Sequence, residues 1–132
     1  MPRELFWLAL TTAMTGLFWV PYILDRIAVR GLMGAMANPS ADAAAQSPWA
    51  QRMLKAHENA VENLVVFASL VLTLHALGIS TAATVGTCAV YFWARLAHVV
   101  VYTLGIPTVR TLAFAVGFAA QAVLALAIFN LI

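Results

Sequence analysis

The sequence predicts an all-α membrane protein, a bundle of four membrane-spanning helices, on three observations. Of 132 residues, 64% are hydrophobic and only 9% are charged, against about 25% charged in a soluble domain. Four apolar stretches each reach the roughly 20 residues that a helix needs to cross about 30 Å of hydrocarbon. The few polar residues inside those stretches recur at helical, not alternating, spacing, which rules out the strands of a membrane barrel.

The first span is expected over about residues 5–29. Its uncharged core, Leu5–Leu24, is longer than the apolar region of a cleaved leader, so it reads as a retained membrane helix despite Arg3 and the Ala35-Met36-Ala37 triplet. Pro21 is expected to kink it. The connection from Arg30 to Ala50 carries Asn38, Pro39, Ser40, Ser47 and Pro48, and reads as loop, with Gly31 and Gly34 inside it. The second span is placed at about 52–77, followed by the short break Gly78-Ile79-Ser80. The third runs over about 81–104 and ends at Gly105-Ile106-Pro107. The fourth covers about 108–131. One domain, 1–132, holds them all.

Basic residues near span ends set orientation. Arg30, Arg52 and Lys55 flank the first connection and Arg110 the third, while the second has none. Connections one and three are therefore expected to face the cytoplasm, and both termini the opposite side, in a multi-pass protein of the inner membrane. A net charge of +2 gives no case for nucleic acid, and a single cysteine, Cys88, permits no internal disulfide.

A charge inside a bilayer costs roughly 2.5–3.5 kcal/mol on insertion scales, so each one needs a reason. On span two, Arg52, Lys55, Asn59 and Glu62 follow i, i+3, i+7, i+10 and share a face. On span three, Tyr91, Arg95, His98 and Tyr102 follow i, i+4, i+7, i+11. Arg110, Phe114 and Gln121 share a face of span four, and Trp19, Tyr22, Arg26 and Arg30 one of span one. Most of these lie toward the same end of their spans. Agreement in face and depth predicts a polar cavity opening to the cytoplasm, between helices or between subunits. Its excess of arginine over carboxylate suits an anionic ligand, because guanidinium matches carboxylate geometry bidentately.

Structural roles compete with that reading. Arg26, Arg30, Arg52 and Arg110 stand near span ends, where long side chains snorkel to lipid phosphates. Glu62 and Arg95 have the depth for an ion pair between spans two and three. Asn59 and Gln121 suit interhelical hydrogen bonds. His57 points away from the stripe of span two and is expected to be structural, as is His75 near the far interface. Trp49 suits an interfacial anchor.

Two segments also resemble a known family. Arg52-Met53-Leu54-Lys55-Ala56-His57-Glu58-Asn59-Ala60-Val61-Glu62 is similar to the signature E-R-x-x-R-A-H-x-N-x-x-E of the MAPEG family, the membrane-associated proteins in eicosanoid and glutathione metabolism. Ala94-Arg95-Leu96-Ala97-His98, with Tyr102 four residues on, resembles the A-R-x-A-H-x-x-x-Y segment of its third helix. Arg110-Thr111 stands where the family has Arg-Ser, and Ala37-Asn38-Pro39 looks like its first loop. The resemblance spans nearly the whole chain and is to a bacterial-type member.

The resemblance implies a homotrimer with glutathione, as co-substrate, between subunits near the cytoplasmic side, acting on a hydrophobic electrophile or peroxide. Arg30, Lys55, Asn59, Glu62, Arg95, His98, Tyr102 and Arg110 would bind glutathione. Glu62 would hold its amino group and the arginines its carboxylates. Arg110 would stabilise the thiolate, since a nearby cation lowers a thiol pKa, and Thr111 would donate a hydrogen bond to the sulfur. Three departures are Lys55 in place of an arginine, Glu58 where a relative has a glutathione-binding arginine, and Phe114 where several members carry tyrosine.

The leading expectation is thus a glutathione-dependent membrane transferase or peroxidase. The alternative is a non-catalytic member that binds a lipid or an anionic metabolite. A four-span drug exporter would need a carboxylate within Leu5–Leu24, which has none. Haem ligation by His57 and His98 is disfavoured by the direction of His57.

Overall fold

A computed structural model describes residues 1–132 as helices joined by short connections, with no strands. The elements are α1 (Arg3–Leu17), α2 (Trp19–Met36), α3 (Pro48–Ala76), α4 (Ala82–Thr103) and α5 (Pro107–Ile128). α1 and α2 together form one 34-residue span, and α3, α4 and α5 supply three more, the shortest 22 residues long. Twenty-two helical residues reach about 33 Å, enough to cross the hydrocarbon. Only 26 of 132 residues are buried. The outward surface carries large apolar side chains such as Val65, Trp93 and Phe118, which only lipid would solvate. The chain is therefore an integral, multi-pass membrane protein.

The break between α1 and α2 lies at Phe18, one turn before Pro21. Proline has no N–H to offer the Leu17 carbonyl four residues earlier and its ring crowds that carbonyl. The Phe18 N–H turns instead to Thr15 O at 3.3 Å. The helix then continues past the expected end of the first span, to Met36. It is broken at Gly31, which is non-helical as the loop reading expected, whereas Gly34 lies in the short helical turn beyond the break. Gly31 adopts φ 73°, which bends the last turn, and a Cβ on Gly34 would sit 3.0 Å from Arg30 Cβ.

Two further connections are closed by specific side chains. α3 starts at Pro48, a turn earlier than the expected 52, because proline suits the first helical position. Its N-cap residue, Ser47, donates its N–H to Asp25 Oδ2 at 3.0 Å and its hydroxyl to Asp25 Oδ1. α4 begins with a capping box between Thr81 and Thr84. The Thr84 hydroxyl also reaches Glu4 Oε1 at 2.7 Å, and Ser80 Oγ donates to the same oxygen at 2.8 Å. Glu4 is thereby buried at the start of α1.

The interior has two apolar cores at different depths. One joins Phe67, Val71, Leu74, Cys88, Tyr91, Ala120 and Leu124, with the Phe67 and Tyr91 rings stacked at 3.8 Å. The other joins Phe18, Tyr22, Ala50, Met53, Ala56, Ala60 and Val99. Near the boundary between them runs a polar layer. Gln121 Nε2 donates to Asn63 O at 3.2 Å, Asn63 Nδ2 to Asn59 O at 2.9 Å, and Arg95 Nη2 to Asn59 Oδ1.

Candidate functional site

The polar stripe of α3 begins one turn inside its proline start, so Arg52 and Lys55 stand at the helix end, beside the α4–α5 turn. There they meet Tyr102 from the last turn of α4 and Arg110 from the first turn of α5. With Pro48 and Gln51 these side chains line an open cleft of about 420 Å³. Three of its six lining residues are cationic and none is acidic.

Two of the three cations are positioned. Arg52 Nε donates to Thr103 O at 3.0 Å, one of the carbonyls that a helix end leaves without an internal partner. Its guanidinium lies against Gly105, where a Cβ would come within 3.3 Å of Arg52 Cζ. The Arg110 guanidinium sits over the Tyr102 ring, 4.4 Å from its centroid, a cation–π geometry that orders it without neutralising it. Lys55 is exposed.

Behind the cleft, one turn deeper on α3 and α4, lie Asn59, Arg95 and His98. Arg95 is 2% exposed and His98 is 3%. The His98 ring meets Tyr102 at 5.6 Å and Phe114 at 6.3 Å. The ion pair expected as one option for Arg95 and Glu62 is not formed. Arg95 bonds to Asn59, and Glu62 is turned outward and exposed. The helix rotation that turns the half-buried Asn59 toward Arg95 carries Glu62, three residues on, to the outer edge of the same face.

The remaining expected residues are dispersed. Arg30 stands in a separate cleft of about 470 Å³ formed with the 37–44 loop, near Asn38, Ser40 and Asp42. Its Nε donates to Ala44 O at 2.7 Å. Thr111 is exposed, and its hydroxyl donates back to Pro107 O at 3.2 Å. Glu58 is exposed and does not line the cationic cleft. The stripe expected on span one packs against the loop: Arg26 Nε donates to Gln46 Oε1 at 3.0 Å, and Tyr22 OH is paired with His57 Nδ1 at 2.8 Å. His57 thus ties α2 to α3, and Gln121 ties α5 to α3.

Sequence reasoning left Arg52 and Gln51 out of the binding set. Arg52 carried the signal, since it opens the α3 stripe. It also missed Asp25, Gln46 and Glu4. Their partners, Ser47, Tyr22, Ser80 and Thr84, lie about 20 to 80 residues away in the chain, and no periodicity links such distant positions.

The cleft can hold a molecule with more than one negative charge at the membrane surface. Its walls come from three helices, and two of its three cations are fixed, one by a carbonyl and one by an aromatic face. In comparison with known proteins, the family model described as MAPEG family matches residues 4–130. No curated protein and no solved structure matches the chain.

Proposed function

The chain belongs to the MAPEG family, and from that premise we propose that it is a glutathione-dependent membrane enzyme, a transferase or peroxidase acting on hydrophobic electrophiles. The family includes such enzymes as well as non-catalytic members. The observation that carries the reading is the cleft where Arg52, Lys55, Tyr102 and Arg110 meet without a carboxylate. Glutathione brings two carboxylates and an ionisable thiol, which three cations suit.

In this reading the carboxylates pair with Arg52 and Lys55, and Arg110 faces the sulfur. A guanidinium beside the thiol favours the thiolate, the nucleophilic form. The thiol proton leaves to water at the open cleft. The thiolate then attacks an electrophilic carbon and forms a thioether, as the bond from that carbon to a leaving group, or the π bond of a conjugated alkene, breaks and the departing anion or resulting carbanion takes a proton from water. With a peroxide it attacks oxygen instead, releasing an alcohol and a sulfenic acid that a second glutathione converts to the disulfide. The proposal extends to a homotrimer with the site between subunits and facing the cytoplasm. Glu62, exposed on one copy, and Arg30, held in a different cleft of the same chain, would complete the site across that interface. Asn59, Arg95 and His98 back the cleft from inside.

Isothermal titration of detergent-purified protein with glutathione tests this directly. Saturable binding that is lost in Arg110→Ala supports it, and no binding at millimolar glutathione ends it.

One observation favours the non-catalytic alternative. The Thr111 hydroxyl donates to Pro107 O and position 114 lacks a phenol, so within one subunit no hydroxyl from α5 is aimed into the cleft. A member that binds glutathione or another anion without forming a thiolate would show binding heat but no thiolate absorbance in ultraviolet difference spectra.

A further inference from the structure

At the end of the bundle opposite the cationic cleft, the start of α1 meets the α3–α4 turn around a cavity of about 200 Å³. Pro2, Glu4, His75 and Ser80 stand on its walls, and no phenyl, phenol or indole ring does. Glu4 is only 4% exposed. Its Oε1 accepts both the Ser80 and the Thr84 hydroxyl, at 2.8 and 2.7 Å. Its Oε2 takes no hydrogen bond from another residue, yet it is not among the sealed polar atoms. Oε2 is therefore the oxygen that opens to the cavity.

The hydroxyls and the first turns of α1 and α4 favour an anion here, but none of them carries a full positive charge. His75 shares the cavity without forming an ion pair with Glu4, and no lysine or arginine lines it. A buried carboxylate without a counter-charge is costly in a low-dielectric setting. The cavity asks for a cation from outside the chain.

An apolar groove of about 550 Å³ begins beside it. Met1, Leu5, Leu8, Ala9 and Ala13 form the groove along the outer side of α1, and its one hydroxyl, Thr12, is turned back to Leu8 O at 2.8 Å. Leu5 follows Glu4 in the chain and Leu8 lies one turn on, so cavity and groove adjoin. From Met1 to Ala13 a helix rises about 18 Å, against about 15 Å of hydrocarbon in one leaflet. That length matches a single acyl chain.

Headgroup chemistry separates the candidate lipids. Glu4 repels a headgroup of net negative charge. A quaternary ammonium has no N–H to give Oε2 and is held best by aromatic faces, which the cavity lacks. A primary ammonium is compact and brings three donors. We infer that this end of the protein binds a phospholipid of the phosphatidylethanolamine class. Its ammonium pairs with Glu4 Oε2, its phosphate faces His75, and one acyl chain lies in the α1 groove. None of these residues belongs to the cationic cleft, so the site is independent of what that cleft binds.

The test is native mass spectrometry of delipidated, detergent-purified protein, titrated with phosphatidylethanolamine, phosphatidylcholine or phosphatidylglycerol of identical chains. The wild type should prefer phosphatidylethanolamine about tenfold, the order expected of a charge-assisted hydrogen bond. Glu4→Gln keeps an oxygen for the Ser80 and Thr84 hydroxyls and should abolish the preference. Ala9→Trp fills the groove from the lipid side, where Ala9 is exposed, so the fold tolerates it. It should weaken binding of phosphatidylethanolamine several-fold, and Val116→Trp on the lipid-facing side of α5 should not. Equal affinity of the wild type for the three lipids overturns the proposal. So does a preference that survives in Glu4→Gln, or binding unchanged in Ala9→Trp.

Discussion

Arg52 Nε donates to Thr103 O at 3.0 Å, so one guanidinium both closes the C-terminal end of α4 and lines the cationic cleft. The lining of the cleft and the termination of the helix share that residue. The short turn after α4 is part of the arrangement, because Gly105, at φ 78°, leaves the space the guanidinium fills.

Gly105→Ala should therefore act twice. Alanine at positive φ costs roughly 1–2 kcal/mol, and its Cβ would press on Arg52 at 3.3 Å. The expected result is a lower thermal midpoint together with weaker glutathione binding. Unfolding by circular dichroism and titration calorimetry on the same preparation would check both. A lower midpoint with unchanged affinity would mean that Arg52 does not serve the ligand.

Arg110→Ala should leave the fold intact, since the residue is half-buried at a helix start and bonded to no backbone group in the structure. Transferase turnover with a hydrophobic electrophile should fall by about 10²–10³-fold, the range for losing a positioned group that stabilises developing charge. Steady-state rates in detergent, with the folded state verified by size exclusion, would measure this.

The Tyr102 ring supports Arg110 through its face, not its hydroxyl. Tyr102→Phe should accordingly keep anion affinity near wild type. Tyr102→Leu should lose about 0.5–1 kcal/mol, the value of an exposed cation–π contact. Equal affinities for the two variants in calorimetry would remove the ring from the site.

Asp25 anchors the loop ahead of α3 through Ser47 and Gln46. In Asp25→Ala the Ser47 N–H and hydroxyl lose a charged acceptor, at about 1.5–3 kcal/mol. Hydrogen exchange over residues 40–51 should speed up while that of 82–103 stays slow. Uniform change across both segments would show that Asp25 holds no local clamp.

The legible part of the site was its α3–α5 face. Arg52, Lys55, Tyr102 and Arg110 lie near helix ends, where register follows from spacing alone, and they do meet around one cleft. Less legible was the direction of each residue on its face. Asn59 and Glu62 share a stripe, yet one turns inward to Arg95 and the other outward. A stripe covers about a quarter of a helix, and a small rotation decides which of its edges is buried. The kink was legible because proline imposes it chemically. The helical turn that holds Gly34, beyond the break at Gly31, was not, because loop composition argued the other way.

By itself the sequence determined the solvent and the number of spans. Scarce charge admits only lipid around it, and the cationic excess at one end is the feature on which the proposed anionic ligand rests. Tertiary structure alone decided which polar groups pair. Asp25 found Ser47, Glu4 found Thr84, and Arg95 found Asn59. Those choices depend on how far each helix is rotated and shifted against its neighbours, and that is set by side-chain packing across the bundle, which no single helix's periodicity contains.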